Sequence, residues 1–365
     1  MLKDTLPWLV VGALVGGALV AGFLALRVRP APPSAARRIP RPHRGAFRQG
    51  HAPPPPRKRV AVVVNPTKVA DLPGVRARVA LACETLGWDE PVFYQTTPTE
   101  PGRGQARQAV RDGADVVCSM GGDGTVRSVA SALVGTQTPL GILPAGTGNL
   151  LARNLETPLD SIDSAIEVAL TGRNRRIDVG ELEIADEDAA LAEDDAGDEE
   201  RHTHYFLVMG GIGMDAAIMA GTNDTLKRTV GWAAYVLSGV KHLVSPEFRT
   251  LVRIDGGPGF RRRARAIVLG NCGRLLGGLV LMPDARVDDG LLNLVIAAPR
   301  GFVGWVPVIT RLLTRRRKGH PTLDHVVCRE VEVRTDRPQP VQIDGDVIGM
   351  ATSLRATLRT ASLTV

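Results

Sequence analysis

The twelve residues Cys118–Val129, CSMGGDGTVRSV, decide how the chain is predicted to fold. An apolar run with the composition of a buried strand leads directly into three glycines around Asp123, and a stretch with helical character follows. A second glycine turn, PAGTGN (Pro144–Asn149), follows the next apolar run in the same way. Glycine turns that lead from a strand into a helix are typical of parallel sheets with helical crossovers. Two of them in succession therefore predict an α/β fold.

The chain around these turns has the same alternation. We predict strands at RVAVVVNP, PVFYQTT, ADVVCSM and PLGILP, and helices at 73–87, 104–113, 125–133 and 161–172. Short apolar runs that alternate with helices indicate a parallel sheet covered on both faces, which makes a three-layer domain.

Ligands of such sheets bind beyond the carboxyl ends of the strands, and both glycine turns lie there. The first strand ends in NPTK, so that Asn65 could reach the same crevice. Backbone N–H groups of a glycine turn, together with a helix N-terminus, attract anions. The pattern predicts a phosphate or nucleotide site, although neither the Walker A nor the GxGxxG sequence is present.

After about Val179 the pattern changes to strand-like runs with short turns. They are HYFLVMGG, FRTLVRID, RARAIVLGN, GLLNLVIA, HVVCREVEVRT and PVQIDGD. This pattern predicts an antiparallel, β-sandwich-like second domain. Residues 181–200 carry 11 acidic residues and no basic one, which predicts a disordered surface insert.

The motifs NP, TT, GGDGT and GTGN, in this order and spacing, resemble the lipid kinase family that includes diacylglycerol and sphingosine kinases, in particular the bacterial diacylglycerol kinase type. The resemblance continues in GIGMDA (211–216), MPDARVDDGLLNLVI (282–296) and IDGD (343–346). NAD kinases and phosphofructokinases share the GGDG element more distantly. The resemblance implies an ATP-dependent kinase that uses Mg²⁺ and phosphorylates a lipid hydroxyl.

It also implies which residues bind ATP. They are Asn65, Pro66, Thr67, Thr96, Gly121, Gly122, Asp123, Gly124, Thr125, Val126, Arg127, Ser128, Gly146 and Thr147. Val69 stands where the family usually has glycine, which departs from the pattern. Because an aspartate beside phosphate needs a cationic partner, we interpret Asp123 as a catalytic residue that faces Mg²⁺ or the acceptor hydroxyl. The alternative is an aspartate that satisfies its own turn.

Two further carboxylates have implied roles. Asp346 stands where the family usually has a glutamate credited as the general base, so its stem is one methylene shorter. The alternative for Asp346 is a turn residue without a catalytic role. Asp289, with the backbone carbonyls of Arg286 and Leu291, corresponds to a structural Mg²⁺ site in the resembling bacterial kinases, whereas the residues alone indicate a β-turn.

The N-terminal residues predict membrane attachment. Trp8–Leu26 is a 19-residue run without charge, and at helical rise it spans about 28 Å. We expect a single transmembrane anchor, with a secretory signal peptide as the competing interpretation. Arg27–Arg59 holds ten basic residues, nine prolines and no acid, which predicts an extended cytoplasmic linker beside anionic headgroups. The expected location is the cell membrane, single-pass, with a cytoplasmic body.

We therefore expect an anchor (1–29), a Pro/Arg-rich linker (30–58), an α/β ATP-binding domain (59–179) and a lipid-substrate domain (180–365) whose C-terminal end packs back on the first domain. Few aromatic residues and 34 basic against 37 acidic residues from Val60 onward argue against nucleic-acid binding. The first hypothesis is a kinase that converts diacylglycerol to phosphatidic acid. The alternatives are an NAD kinase-like enzyme and a membrane-tethered nucleotide sensor without kinase activity. The sequence is compatible with a homodimer but does not predict the oligomeric state.

Overall fold

The fold is described from a computed structural model, which covers residues 57–184, 203–213, 246–274, 280–299 and 323–365. The linker up to residue 56, most of the acidic insert (185–200) and the GIGMDA motif from Met214 onward lie outside the described residues.

The first domain is built on a four-stranded parallel sheet in the order β2-β1-β3-β4. Its strands are β1 (Val60–Val64), β2 (Val92–Gln95), β3 (Val116–Gly121) and β4 (Leu140–Pro144). Its α-helices are α1 (Leu72–Leu86), α2 (Arg103–Arg111), α3 (Asp123–Leu133), α4 (Leu150–Asn154) and α5 (Ile162–Thr171). Strands β1 and β3 are buried throughout, as expected for central strands covered on both faces.

Helices cover both faces of this sheet. On one face Val62 and Cys118 pack with Val79 of α1 and Ile166 of α5. The opposite face packs against α2 and α3, which gives the three layers that the alternating sequence predicts.

The described part of the second domain is an antiparallel sheet of ten strands that encloses its own apolar core. Its strands are β5 (Arg176–Ile184), β6 (Thr203–Phe206), β7 (Met209–Ile212), β8 (Phe248–Ile254), β9 (Phe260–Ala264), β10 (Ala266–Gly270), β11 (Leu292–Ala297), β12 (Leu323–Cys328), β13 (Glu330–Ile343) and β14 (Asp346–Thr364). The predicted order, a parallel α/β domain followed by an antiparallel β-sandwich, is confirmed.

The long hairpin β13–β14 organises this domain. The ladder is interrupted between Arg334 and Gln339 and again after Val341, and β13 pairs with β8 before the first interruption and with β7 after it. Such irregularities bend a strand and increase its twist. One hydrogen-bonded sheet can therefore fold over a core that includes Phe206 and Phe248.

The two domains also share a core. Val129 and Leu133 of α3 belong to the same buried cluster as Ile177 of β5, Met209 of β7 and Leu363 near the C-terminus. The backbone N–H of Gly135, just after α3, donates to the carbonyl of Ser362.

The start of the predicted acidic insert requires a correction. Residues 181–184 are part of strand β5 and pair with β14 rather than forming a disordered loop, and the predicted domain boundary after residue 179 falls inside this strand. The reason is the alternation of its side chains. Leu182 and Ile184 are buried, while Glu181 and Glu183 face Arg359 and Arg355 at 3.7 and 3.9 Å.

The predicted location must also be corrected. Within the residues that the structure describes, no helix combines the length and the apolar character needed to cross a membrane. The expectation of a single-pass membrane protein is therefore withdrawn. The segment on which it rested, Trp8–Leu26, lies outside the described residues.

Candidate functional site

The two glycine turns lie against each other at the carboxyl ends of β3 and β4. A Cβ atom on Gly146 would come within 2.5 Å of the Cα of Gly122, so only glycine allows the two backbones to approach so closely. Asn149 fixes the second turn from within, because its side chain accepts from the N–H of Gly146 at 3.1 Å and donates to the carbonyl of the same residue at 2.7 Å. Backbone amides of two turns are thereby held in one crevice.

Asp123 connects the turns. It is the first residue of α3, and its carboxylate accepts the backbone N–H of Leu150, the first residue of α4, at 2.5 Å. An added Cβ at Gly148 would collide with the same carboxylate. Burial raises the pKa of Asp123, the amides of Leu150 and Asn149 lower it, and the charge of Asp344 raises it. The Asp123 carboxylate thus bonds to the second glycine turn as well as to its own backbone amide.

The remaining predicted ATP residues follow the same edge of the sheet. Asn65 caps the short 3₁₀ helix Pro66–Lys68, and its side chain accepts from the N–H and the hydroxyl of Thr67 at 3.1 and 2.8 Å. The N–H of Asn65 donates to the carbonyl of Met120, which places this turn beside the end of β3. Thr96 is buried, and its N–H donates to Val64 at the end of β1.

Within the first turn and the start of α3, side chains divide between the core and the crevice. A Cβ on Gly121 would lie 2.5 Å from the hydroxyl oxygen of Thr125, which is itself buried. Val126 is buried in the core shared with the second domain, whereas Ser128 is partly exposed. Thr147, in the second turn, is exposed.

Arg127 reaches out of the first domain altogether. Its guanidinium donates to the carbonyl of Ile343 at 2.8 Å and to Oδ2 of Asp346 at 2.7 Å, both at the β13–β14 turn. An added Cβ on Gly124 would lie 3.3 Å from the same Asp346 oxygen. The structure therefore places the carboxylate of Asp346 at the first turn of α3, next to the glycine turn of Asp123.

Asp344, two residues before Asp346, is a candidate site residue that sequence reasoning missed. Its carboxylate accepts three consecutive backbone N–H groups, from Leu207, Val208 and Met209, at 2.8–3.0 Å. Burial raises its pKa, while the charge of Arg127 and the three amides lower it. Because these amides bond to Asp344, the run HYFLVMGG forms two strands instead of the one predicted. The IDGD motif was the available signal, but only its second aspartate was singled out.

The predicted metal turn lies at the base of β11. The Oδ1 of Asp289 accepts the N–H of Leu291 at 3.0 Å, and the neighbouring Asp178 accepts the N–H of Gly290 at 2.7 Å. Burial and the charge of Asp178 raise the pKa of Asp289, whereas the Leu291 amide and Arg286 lower it. The charges of Asp289 and Asp178 thus interact at this turn, and carboxylate oxygens are ligands that a hard cation such as Mg²⁺ prefers. The described residues contain no cluster of three or more acidic, histidine or cysteine ligands.

Comparisons with known proteins agree with this arrangement. Residues 59–182 match the model of the diacylglycerol kinase catalytic domain, and residues 209–365 match that of the YegS C-terminal NAD kinase beta sandwich-like domain. The diacylglycerol kinase of Staphylococcus saprophyticus is 26% identical over 298 residues, which cover 80% of this chain and 90% of the relative. That of Staphylococcus carnosus is 24% identical with the same coverage.

Solved structures share the fold. The crystal structure of a diacylglycerol kinase from Bacillus anthracis superposes with a TM-score of 0.61 at 18% identity and covers 84% of this chain and 96% of its own. Another structure from that organism gives 0.64 at 19% identity, with coverage of 87% and 97%.

A glycine-lined crevice on a parallel sheet, closed on one side by a β-sandwich carboxylate, together with these relatives, places the protein in the class of lipid kinases. More specifically, the chain belongs to the diacylglycerol kinase catalytic-domain family. Membership implies ATP as the phosphoryl donor and a lipid as the acceptor.

Proposed function

We propose that this kinase transfers the γ-phosphoryl group of ATP to the free hydroxyl of diacylglycerol and so produces phosphatidic acid. The observation that carries the proposal is the position of Asp346. Its carboxylate, from the second domain, lies against Gly124 of the glycine turn, and its side chain remains 57% exposed. A carboxylate there is open to an acceptor hydroxyl on one side and adjacent to a phosphate-binding turn on the other. The names of the curated relatives support diacylglycerol as that acceptor.

ATP would occupy the crevice at the ends of β1, β3 and β4. Backbone N–H groups of Gly122 and Gly124 would hold the phosphates, since glycines leave the amides accessible and the start of α3 adds a favourable dipole. Asn65–Thr67, Thr96, Thr125, Val126, Ser128 and Thr147 complete the proposed lining.

The proposed reaction has one displacement at phosphorus. Asp346 accepts the proton of the lipid hydroxyl, the hydroxyl oxygen forms a bond to the γ-phosphorus, and the bond from that phosphorus to the β–γ bridging oxygen breaks, which releases ADP. Asp123 would stand beside the transferring group. Its raised pKa reflects the buried charge that a cationic partner would stabilise.

Mg²⁺ has two proposed positions. With ATP it would offset the phosphate charge beside Asp123, which is the chemistry that this ion supplies in phosphoryl transfer. A second, structural ion would be held by Asp289 and the carbonyls of Arg286 and Leu291, close to Asp178.

The experiment is an acceptor panel. The full-length protein is incubated with γ-labelled ATP and Mg²⁺ in a series of reactions, each of which contains one acceptor. The acceptors are diacylglycerol, monoacylglycerol, ceramide, sphingosine and a polyprenol in mixed micelles, and NAD in solution. We expect label in phosphatidic acid from diacylglycerol. The Asp346→Asn variant, purified in parallel, controls for a contaminating kinase.

Other outcomes would replace the proposal. Label in NADP would favour an NAD kinase-like enzyme, and label in another lipid would change the acceptor but keep the class. Bound ATP without any labelled product would favour a nucleotide sensor.

A further inference from the structure

The contact between Arg127 and the β13–β14 turn joins the two halves of the site. Arg127 lies in the second turn of α3, one helical turn beyond Asp123, and its partners are 216 and 219 residues further along the chain. One terminal nitrogen donates to the Ile343 carbonyl and the other to the Asp346 carboxylate. A single guanidinium thus binds the turn on both sides of Asp344.

The geometry requires an arginine. Its planar fork can donate to two acceptors at once, whereas a lysine ammonium acts as a point charge. The Arg127 side chain is only 16% exposed, so the pair is better shielded than an ion pair on the surface. Of the two partners, the arginine is therefore the fixed one and the more exposed aspartate is the one that is oriented.

The rest of the turn is held from the other side. Asp344 ties it to the amides of Leu207, Val208 and Met209 within the second domain. Arg127 supplies the complementary restraint towards α3, whose first residues carry the glycine turn. Together they set the distance between the phosphate-binding turn and the carboxylate of Asp346.

We infer that Arg127 is a positioning residue that orients Asp346 towards the acceptor hydroxyl, and that it does not act as a ligand of ATP. The inference rests on the proposed function, in which Asp346 is the general base. It matters here because an aspartate has a shorter reach than glutamate, so a carboxylate left unrestrained would lie in a productive position for a smaller fraction of the time. The assignment of Arg127 by resemblance to the ATP site is replaced.

The test is a double-variant cycle of Arg127→Met and Asp346→Asn in the full-length protein, with kcat for lipid phosphorylation and KM for ATP measured for each. Arg127→Met should lower kcat by about 10- to 100-fold, while KM for ATP stays within about threefold. In the Asp346→Asn background, Arg127→Met should lower kcat by a further factor of less than about three. The reason is that a residue that acts through the Asp346 carboxylate has nothing left to position. Arg127→Lys should give an intermediate kcat at unchanged KM.

Asn154→Ala is the matched control. Asn154 also links the first domain to the second by two hydrogen bonds, one each to the carbonyl and the N–H of Arg274, at 3.0 and 3.1 Å. It does not contact the β13–β14 turn through any bond in the described residues. Asn154→Ala should lower thermal stability about as much as Arg127→Met does, and it should leave kcat within about threefold of the wild-type value.

The possible results separate the positioning role of Arg127 from the role of Asp346 as the general base. Equal losses from Arg127→Met in both backgrounds, a KM for ATP raised by more than tenfold, or an Asn154→Ala variant with the same loss of kcat would reject the positioning role and leave Asp346 as the base. Near-normal kcat in Asp346→Asn alone would instead reject the base itself, and this inference with it.

Discussion

At the scale of single residues, Asp123 poses the question of whether a carboxylate serves structure or chemistry. Its Oδ1 accepts the amide of Leu150 at 2.5 Å, and an asparagine oxygen could accept that hydrogen bond. Asp123→Asn should therefore keep the fold but remove a charge beside the transferring phosphate, an electrostatic interaction of several kcal/mol. We expect turnover to fall by about 10² or more, with the melting temperature nearly unchanged, as measured by lipid phosphorylation and thermal unfolding.

Asp71→Asn is the control for that prediction. Asp71 likewise accepts a backbone amide at a helix N-terminus, from Gly74 at 2.9 Å, but it is exposed and lies in α1's cap, outside the crevice. It should leave turnover unchanged. Activity of Asp123→Asn within about threefold of the wild type would assign Asp123 to turn structure alone.

Asp344 and Asp255 show how burial changes the contribution of a carboxylate–amide hydrogen bond to stability. Both carboxylates accept consecutive backbone N–H groups, but Asp344 is 6% exposed whereas Asp255 is exposed. Asp344→Asn leaves at least one buried amide without a good acceptor, and we expect it to lower the free energy of unfolding by about 1–3 kcal/mol. Asp255→Asn should cost about 0.5 kcal/mol, because water replaces the lost acceptor. Urea unfolding of both variants measures the difference, and equal losses would contradict it.

Residue partners of this kind could not be predicted from the sequence. The GGDGT turn indicated an anion site because its signal is local, a strand followed by glycines and a helix. The contacts of Arg127 with Asp346 and of Asp344 with Leu207–Met209 join segments more than 130 residues apart. The apolar periodicity of a segment predicts its secondary structure, but it does not indicate which distant residues the segment contacts.

At the scale of elements, the contact between the two glycine turns can be tested directly. Gly146→Ala would bring its Cβ within 2.5 Å of the Gly122 backbone, and a backbone cannot move aside as cheaply as a side chain. We expect a loss of about 1–3 kcal/mol in unfolding free energy together with weaker ATP binding, measured by denaturation and by calorimetry. Gly104→Ala in α2, where the new methyl meets only the end of the Glu100 side chain, should cause neither. Normal ATP affinity in Gly146→Ala would show that the close approach is not needed for the nucleotide.

Helices and strands could be predicted where their own residues show a clear apolar periodicity. All four parallel strands and four of the five α-helices of the first domain appear close to the predicted bounds, since each has its own apolar period. The short α4 was missed because it has only five residues. The 19-residue β14 was missed because polar and small residues interrupt its alternation, and its pairing with β5 and β13 holds it in place.

At the scale of the molecule, the described part of the chain from Arg57 onward should unfold as one unit, because its two domains share a core. Leu363 of β14 is fully buried in the same cluster as Leu133 of α3, and the C-terminal Val365 exchanges two backbone hydrogen bonds with Arg175 before β5. Leu363→Ala should therefore lower the free energy of unfolding by about 2–5 kcal/mol and destabilise both domains together. Val347→Ala, on the same strand but 42% exposed, should cost less than about 1 kcal/mol. Amide hydrogen exchange of peptides from α3 and from β10 measures the coupling: Leu363→Ala should speed exchange in both by a similar factor, whereas faster exchange in β10 alone would mean that the domains unfold independently.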